Sequence, residues 1–239
     1  MSAGGPARCP RCGGALAEAL AACARCLLAG GSDAVLLGRY ELGRELAADD
    51  LGAVYAARDA ASGAMVRVRF LPEGDPPLPD AGRDEALRVL VSLRHPAIVA
   101  ALAFGREGDE VFVVSEVPPG RPAAEAAPLA PDRALGVGLD ICEALAAAHG
   151  RGIAHGALGP RRVVIDERGS ARVVDLGIAP LLGAAPADPA AGDVAALARL
   201  IAALATSPPL PGPTPSTAHA LRRAIALALV RLRLPPRSS

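Results

Sequence analysis

The stretch "RGIAHGALGPRRVVIDERGSARVVDLG", residues 151–177, carries most of the fold information in this chain. Two short β-branched runs, Arg162–Ile165 and Ala171–Val174, flank Asp166–Gly169, whose Asp and Gly are turn residues. The pattern predicts a hairpin with a histidine, His155, before the first strand and an aspartate, Asp175, just after the second. Between His155 and the first strand lie Gly156, Ala157, Gly159 and Arg161, so the connection is rich in small residues and poor in chemistry-bearing ones.

Upstream of this hairpin the spacing predicts a long helix over 132–149, with Leu135, Leu139, Cys142, Ala146 and His149 along one face. Cys142 on that face reads as a core thiol. Further upstream the alternation is that of a small sheet: Tyr40–Leu46, Ala53–Asp59 and Met65–Leu71, the last two joined by a turn at Ala61, Ser62 and Gly63. A helix is predicted over Asp84–Arg94, with Leu87, Leu90 and Val91 as its apolar stripe, then a strand at Val111–Glu116. The Pro-rich stretches 118–131 and 208–215 read as surface loops. Downstream, a helix is predicted to start at Asp193 as N-cap, with Val194, Leu197, Leu200, Ile201 and Leu204 facing inward, and a last one over Ala220–Arg231. No internal repeat is found.

Composition narrows the function classes. The chain has 239 residues, 25 basic and 25 acidic, and a formal net charge of zero. With no basic run, electrostatic binding to nucleic acid or to an anionic membrane is not indicated. There is no lysine, asparagine or glutamine anywhere, so no mechanism can draw on those side chains within this chain. No stretch approaches the ~18 uncharged apolar residues of a membrane helix. The apolar region 15–28 holds Glu18, Arg25 and cysteines, unlike a signal peptide. A cytoplasmic location is expected, where thiols stay reduced.

The N-terminal segment "CPRCGGALAEALAACARC" holds two C-x-x-C pairs, Cys9/Cys12 and Cys23/Cys26. Two thiolates of one tight turn can reach the same ion, and two such turns complete a tetrahedral site of the kind Zn²⁺ favours. A structural zinc site on Cys9, Cys12, Cys23 and Cys26 is the expectation; two disulfides or four idle thiols are the alternatives.

In this order the parts resemble a bacterial Ser/Thr protein kinase domain over residues 38 to about 206. "GRYELGREL" resembles its first strand, "LRHPAIV" the segment after the αC helix, and "ICEALAAAHGRGIAH" the helix entering the catalytic loop. "VVDLGIA" resembles the Asp-Phe-Gly motif and "GDVAALARLIAALAT" the αF helix. The resemblance implies an α+β, two-lobed protein-kinase-like fold. Its division would be a zinc-ribbon-like module (1–30), a linker (31–37), a β-rich N-lobe (38–117) and a truncated helical C-lobe (118–239).

The resemblance also implies a nucleotide cleft, lined here by Gly52, Val54, Arg69, Glu116, Val117 and Asp175, and each position can be compared with its chemistry. In "LAADDLGAVY" only Gly52 survives of the Gly-rich loop, and Asp49 and Asp50 bring negative charge towards a polyphosphate. Arg69 stands at the β3 lysine position, and Arg67 at that of the small residue packed on adenine, where it fills the pocket or swings to solvent. The αC glutamate position holds Ala86, with Glu85 one residue earlier, so the ion pair is either shifted or lost. In the catalytic loop, Ala157 replaces the aspartate that accepts the substrate proton, Gly159 the lysine on the γ-phosphate, and Arg162 the asparagine on the second Mg²⁺. Asp175 is left as a magnesium ligand or as an ion-pair partner for Arg69 or Arg162. The segment from Asp175 to Asp193 holds no serine, threonine or Ala-Pro-Glu anchor. His155, Leu176, Leu90 and Asp193 correspond to architectural positions, and Arg237 to the terminal arginine motif.

Three functional readings follow from these substitutions. The first is an inactive pseudokinase, a scaffold or allosteric partner that binds another protein such as an active kinase, with zinc as its only expected cofactor. The second is weak residual phosphotransfer with ATP and Mg²⁺. The third is a decaying paralogue.

Overall fold

The structure, a computed structural model, describes residues 35–73, 80–107, 110–183, 188–207, 215 and 217–233. The expected zinc ligands Cys9, Cys12, Cys23 and Cys26, and Arg237, lie outside these residues. The described residues form two compact units, one of 35–93 with 100–119 and one of 94–99 with 120–233. Residues 94–99 thus group with the second unit, whereas the sequence division places them in the N-lobe.

The first unit is a six-stranded antiparallel sheet with one helix, α1 (Asp80–Ser92). Its strands are β1 (Val35–Leu36), β2 (Tyr40–Asp49), β3 (Gly52–Asp59), β4 (Met65–Leu71), β5 (Ala101–Glu107) and β6 (Glu110–Glu116), in the order β1-β2-β3-β4-β6-β5. Period-two alternation sends Leu36, Tyr40, Ala57, Val66, Val68, Phe112 and Val114 into one cluster. Arg67 and Arg69 consequently share the other face of β4. Asp59 fixes the β3–β4 turn, accepting from Ala61 N at 3.1 Å and Ser62 Oγ at 2.8 Å, with Arg39 paired to both its oxygens. That arginine holds the Asp59 carboxyl well below the usual carboxylate range.

The second unit is built around α3 (Pro131–His149), which packs on α5 (Pro189–Leu204), on α6 (Ala218–Arg233) and on a three-stranded sheet. That sheet consists of β7 (Arg121–Pro122), β8 (Val163–Ile165) and β9 (Ala171–Val173), in that order. Short helices α2 (Ala123–Ala126) and α4 (Ile178–Leu181) complete it. A Cβ on Gly138 of α3 would lie 2.5 Å from Ile201 and 3.1 Å from Ile225, so a glycine there lets α5 and α6 close onto one point. No helix among the described residues is long and apolar enough to cross a membrane.

Several expectations are corrected. β5 was not foreseen, because only Ala101 of its seven residues is buried and its alternation is weak. The helix containing Asp193 begins at Pro189, not at Asp193. Asp188 is the N-cap and accepts from Ala191 N at 3.0 Å, and Pro189 sits in the first turn, where its missing N–H is no loss. Residues 118–131 are not simply a loop. Arg121 and Pro122 pair with β8, and Leu129 exchanges backbone hydrogen bonds with Leu204 and Thr206.

Candidate functional site

Two constellations contain the expected site residues, one in each unit. In the second unit the frame is the connection 150–162 between α3 and β8. Gly152 and Gly156 take left-handed backbone, φ +73° and +76°, which lets the chain reverse direction twice. The carboxylate of Asp193 on α5 holds this connection: Oδ2 accepts from His155 N at 2.7 Å and Oδ1 from Gly156 N at 2.8 Å. His149 Nε2 lies 2.9 Å from the same Oδ2. Asp193 is only 2% exposed. Burial alone would raise its pKa, but the bonds from His149, His155 and Gly156 outweigh that and hold it below the ordinary value.

His155 is completely buried, and burial pushes its pKa down. Its Nδ1 accepts from Ala157 N at 3.3 Å, which assigns the ring proton of the neutral form to Nε2. Nε2 has no hydrogen-bond partner, so the side chain serves the core. Leu176 is buried as well.

The catalytic positions implied by the resemblance fall on this frame. Ala157 is half-buried and offers only a methyl group and its backbone. A Cβ on Gly159 would meet nothing within 4 Å among the described residues. Arg162 turns its Nη1 onto the Ala157 carbonyl at 3.3 Å, and its own carbonyl accepts from Val174 N at 3.0 Å. Asp175 has φ +58°, a left-handed backbone unusual for a residue other than glycine, and Gly177 follows at +76°. A Mg²⁺ site of the expected kind needs oxygen ligands. One carboxylate and one guanidinium are a poor donor set, so the residues present do not fit the ion.

In the first unit, Arg69 is 5% exposed and lies between Val54 on β3 and Val113 on β6. Its Nη1 donates to Asp49 Oδ1 at 2.8 Å and to the Gly52 carbonyl at 2.9 Å. Asp49 Oδ1 also accepts from Leu51 N at 2.9 Å, closing the β2–β3 turn. Gly52, at φ +103°, packs so tightly on β4 that a Cβ would lie 1.9 Å from the Phe70 carbonyl oxygen. The Asp49–Arg69 pair was not anticipated. Its signal is the hairpin register, which sets Asp49 opposite Gly52 and Val54 opposite Arg69. Arg67, between Ala56 and Ser115, is half-buried and its Nη1 is shielded from water, so it does not swing fully outward. Glu85 is exposed and pairs with Arg88 at 3.1 Å. Glu116 accepts from Ala100 N at 2.9 Å, and Val117 is half-buried.

Comparison with known proteins agrees with the order of these parts. No protein-family model matches the chain. The chain is 34% identical over 157 residues to the serine/threonine-protein kinase pkn2 of Myxococcus xanthus, covering 62% of this chain and 19% of that protein. It is 35% identical over 157 residues to a probable serine/threonine-protein kinase of Streptomyces coelicolor (61% and 23%). Against the serine/threonine-protein kinase PknA of Mycobacterium tuberculosis it is 32% identical over 163 residues (63% and 38%). The matched part of the chain thus spans about a fifth to two fifths of the length of these relatives. With this similarity, a β-rich unit with one helix and a helical unit with a His155–Asp193 loop anchor, the chain has a kinase-like α+β fold related to the Ser/Thr protein kinases.

Proposed function

We propose that this kinase-like chain is catalytically inactive and acts as a scaffold or allosteric partner in Ser/Thr kinase signalling, in the cytoplasm, with a structural zinc ion on Cys9, Cys12, Cys23 and Cys26. The observation that carries the reading is the combination at the second-unit loop. Asp193 and His149 keep the loop backbone anchored, while the position for a proton acceptor is the methyl group of Ala157. A methyl group neither orients a hydroxyl nor takes its proton. Arg162, bonded to the Ala157 carbonyl, adds a cation where a metal ligand is needed. The retained residues stabilise the fold and the lost ones are those of the chemistry, which leaves binding to another protein as the role the scaffold can still serve.

One observation favours a second reading, residual phosphotransfer: Asp175 keeps its left-handed backbone, the kind of local strain that clusters at functional sites. The experiment that separates the two combines radiolabelled ATP phosphotransfer with thermal unfolding of the full chain, with and without ATP, in Mg²⁺ and in EDTA, zinc content being verified in each. A ligand at 100 times its Kd adds ~2.7 kcal/mol of stability, a shift of several degrees for a domain this size. The inactive reading expects no label transfer and no Mg²⁺-dependent shift. Phosphotransfer abolished by Asp175→Ala would overturn it.

A further inference from the structure

We propose that the outer face of α6 is a docking site for an acidic amphipathic helix of another protein, which seats its apolar side on Leu227 and Val230 and its carboxylates on the arginines of α6. The proposal rests on the scaffold reading above and names the chemistry of the partner. α6 packs on α3 and buries Leu221, Ile225 and Ala228, which recur at the spacing of one helix face. A helix that covers a core in this way ordinarily turns charged and polar residues to water on its other side. α6 does not. Arg223, Leu227 and Val230 follow one another at the same kind of spacing on the opposite side, and Leu227 is 53% and Val230 55% exposed. Leu232, one turn beyond the buried Ala228, is 51% exposed as well. Among the described residues of the second unit these three are the exposed large hydrophobics, and all lie on α6. α5, which also covers α3, exposes only Gly192, Arg199, Ala202 and Ala203. One exposed leucine on a surface needs no explanation, whereas a cluster confined to one helix marks an interaction site.

Charge selects the occupant. Over its sixteen residues α6 holds four arginines and one histidine and no aspartate or glutamate, in a chain whose acidic and basic totals are equal. Arg222 is paired with Glu143 of α3 at 3.0 Å, while Arg223 is exposed beside the apolar row. A second copy of the same helix would set arginine against arginine with no carboxylate between them, which opposes self-association through this face. A helix bearing Asp or Glu beside an apolar stripe supplies both a cover for Leu227 and Val230 and counter-charges for the arginines. A lipid surface fits less well. The inner side of α6 is held on α3, so only a narrow row is left to enter a membrane.

The test uses the full chain. The probe is a fluorescein-labelled, helix-forming peptide with leucines at i, i+3, i+4 and i+7 and glutamates flanking them, and a second peptide carries lysines in place of the glutamates. Binding is followed by fluorescence anisotropy for wild type, Leu227→Gln/Val230→Gln and Arg223→Glu. Glutamine and glutamate are good helix formers, so both variants are expected to keep the wild-type helical melting temperature. The expected result is saturable binding of the glutamate peptide to wild type, weakened roughly tenfold or more by Leu227→Gln/Val230→Gln. Arg223→Glu is expected to weaken the glutamate peptide and to strengthen the lysine peptide. Absence of saturable binding, equal affinity for the two peptides, or binding unchanged in the double variant would overturn the proposal. Sedimentation equilibrium and co-flotation with phosphatidylcholine/phosphatidylglycerol vesicles test the other occupants. A wild-type dimer broken by Leu227→Gln/Val230→Gln, or vesicle binding lost in that variant, would overturn it in favour of a second copy or a membrane. A double variant that melts several degrees below wild type would show the face to be covered by the chain itself, and would overturn it equally. These failures strike the docking site alone, whereas phosphotransfer by the wild-type chain strikes the inactive reading.

Discussion

Replacing Asp193 by alanine is expected to unfold the second unit at a much lower temperature while leaving the first in place. The carboxylate is 2% exposed and accepts from two backbone N–H groups, at 2.7 and 2.8 Å, with His149 at 2.9 Å. Alanine strands both backbone donors, the His155 N–H buried and the Gly156 N–H partly so, against a cost of about 1–3 kcal/mol for a fully buried unpaired group. The estimate is therefore ~3–5 kcal/mol for the variant, with His149 near the upper end through its own lost partner. At ~2–4 °C per kcal/mol for a chain of this size, the midpoint falls by roughly 10 °C. The molecule offers two separate reporters. All two tyrosines and three phenylalanines lie in the first unit, and there is no tryptophan. Tyrosine fluorescence therefore follows the first unit, while the helical far-ultraviolet signal is dominated by α3, α5 and α6 of the second. The expected result is a large downward shift of the helical transition with the tyrosine transition little changed. A helical shift under ~3 °C, equivalent to about 1 kcal/mol, would refute the role of Asp193 as the loop anchor.

Two further outcomes can be checked. Burial lowers the His155 pKa, so below the unfolded value of ~6.5 the unfolded chain binds a proton that the folded chain refuses, and stability falls with pH. Asp193, also depressed, adds a loss at lower pH, beginning near its unfolded value of ~3.9 and continuing down to its folded one. His155→Leu is therefore expected to flatten the helical melting profile just below pH 6.5 and to leave the more acidic fall in place; parallel profiles for variant and wild type would refute the assignment. For the N-terminal cysteines, elemental analysis of the purified chain is expected to give one zinc per molecule, lost in a Cys9→Ser/Cys12→Ser variant; a metal-free chain in zinc-supplemented medium, or disulfides by mass spectrometry, would refute that site.

The hairpin 163–173 was legible because one residue type did several jobs. Asp166 Oδ1 accepts from Arg168 N and Ser170 N, both at 2.9 Å, and Gly169 takes φ +87°, so "DERG" encodes its own turn. The helix from 131 and strands β2 to β4 were legible through periodicity. β5 was not, since an edge strand with one buried residue carries little alternation. The start of α5 lies upstream of the Asp193 N-cap expectation, at Asp188-Pro189, a pair that is itself an N-cap and first-turn signal. At the site, Ala157, Gly159 and Arg162 take on meaning only through the resemblance, which assigns each a catalytic position by its spacing from His155. The Asp49–Arg69 contact needed register, and β2 shifts register between Leu42 and Glu45 and again between Glu45 and Ala47. Such irregularities leave no mark that alternation can reveal.

The strand order carries a consequence for synthesis on the ribosome. Every strand of the six-stranded sheet has emerged once residue 116 is out, so the first unit can close while its successor is still being made. The segment 94–99 is the exception. Ile98 pairs with Val173, so this pairing cannot form until β9 has emerged. The loop at His155 must likewise wait for Asp193, and Gly138 of α3 for Ile225 on α6. A nascent chain arrested after α3 is complete and before Pro189 therefore displays the apolar face of α3 with neither of its helical covers, and that interval is where a chaperone has most to hold.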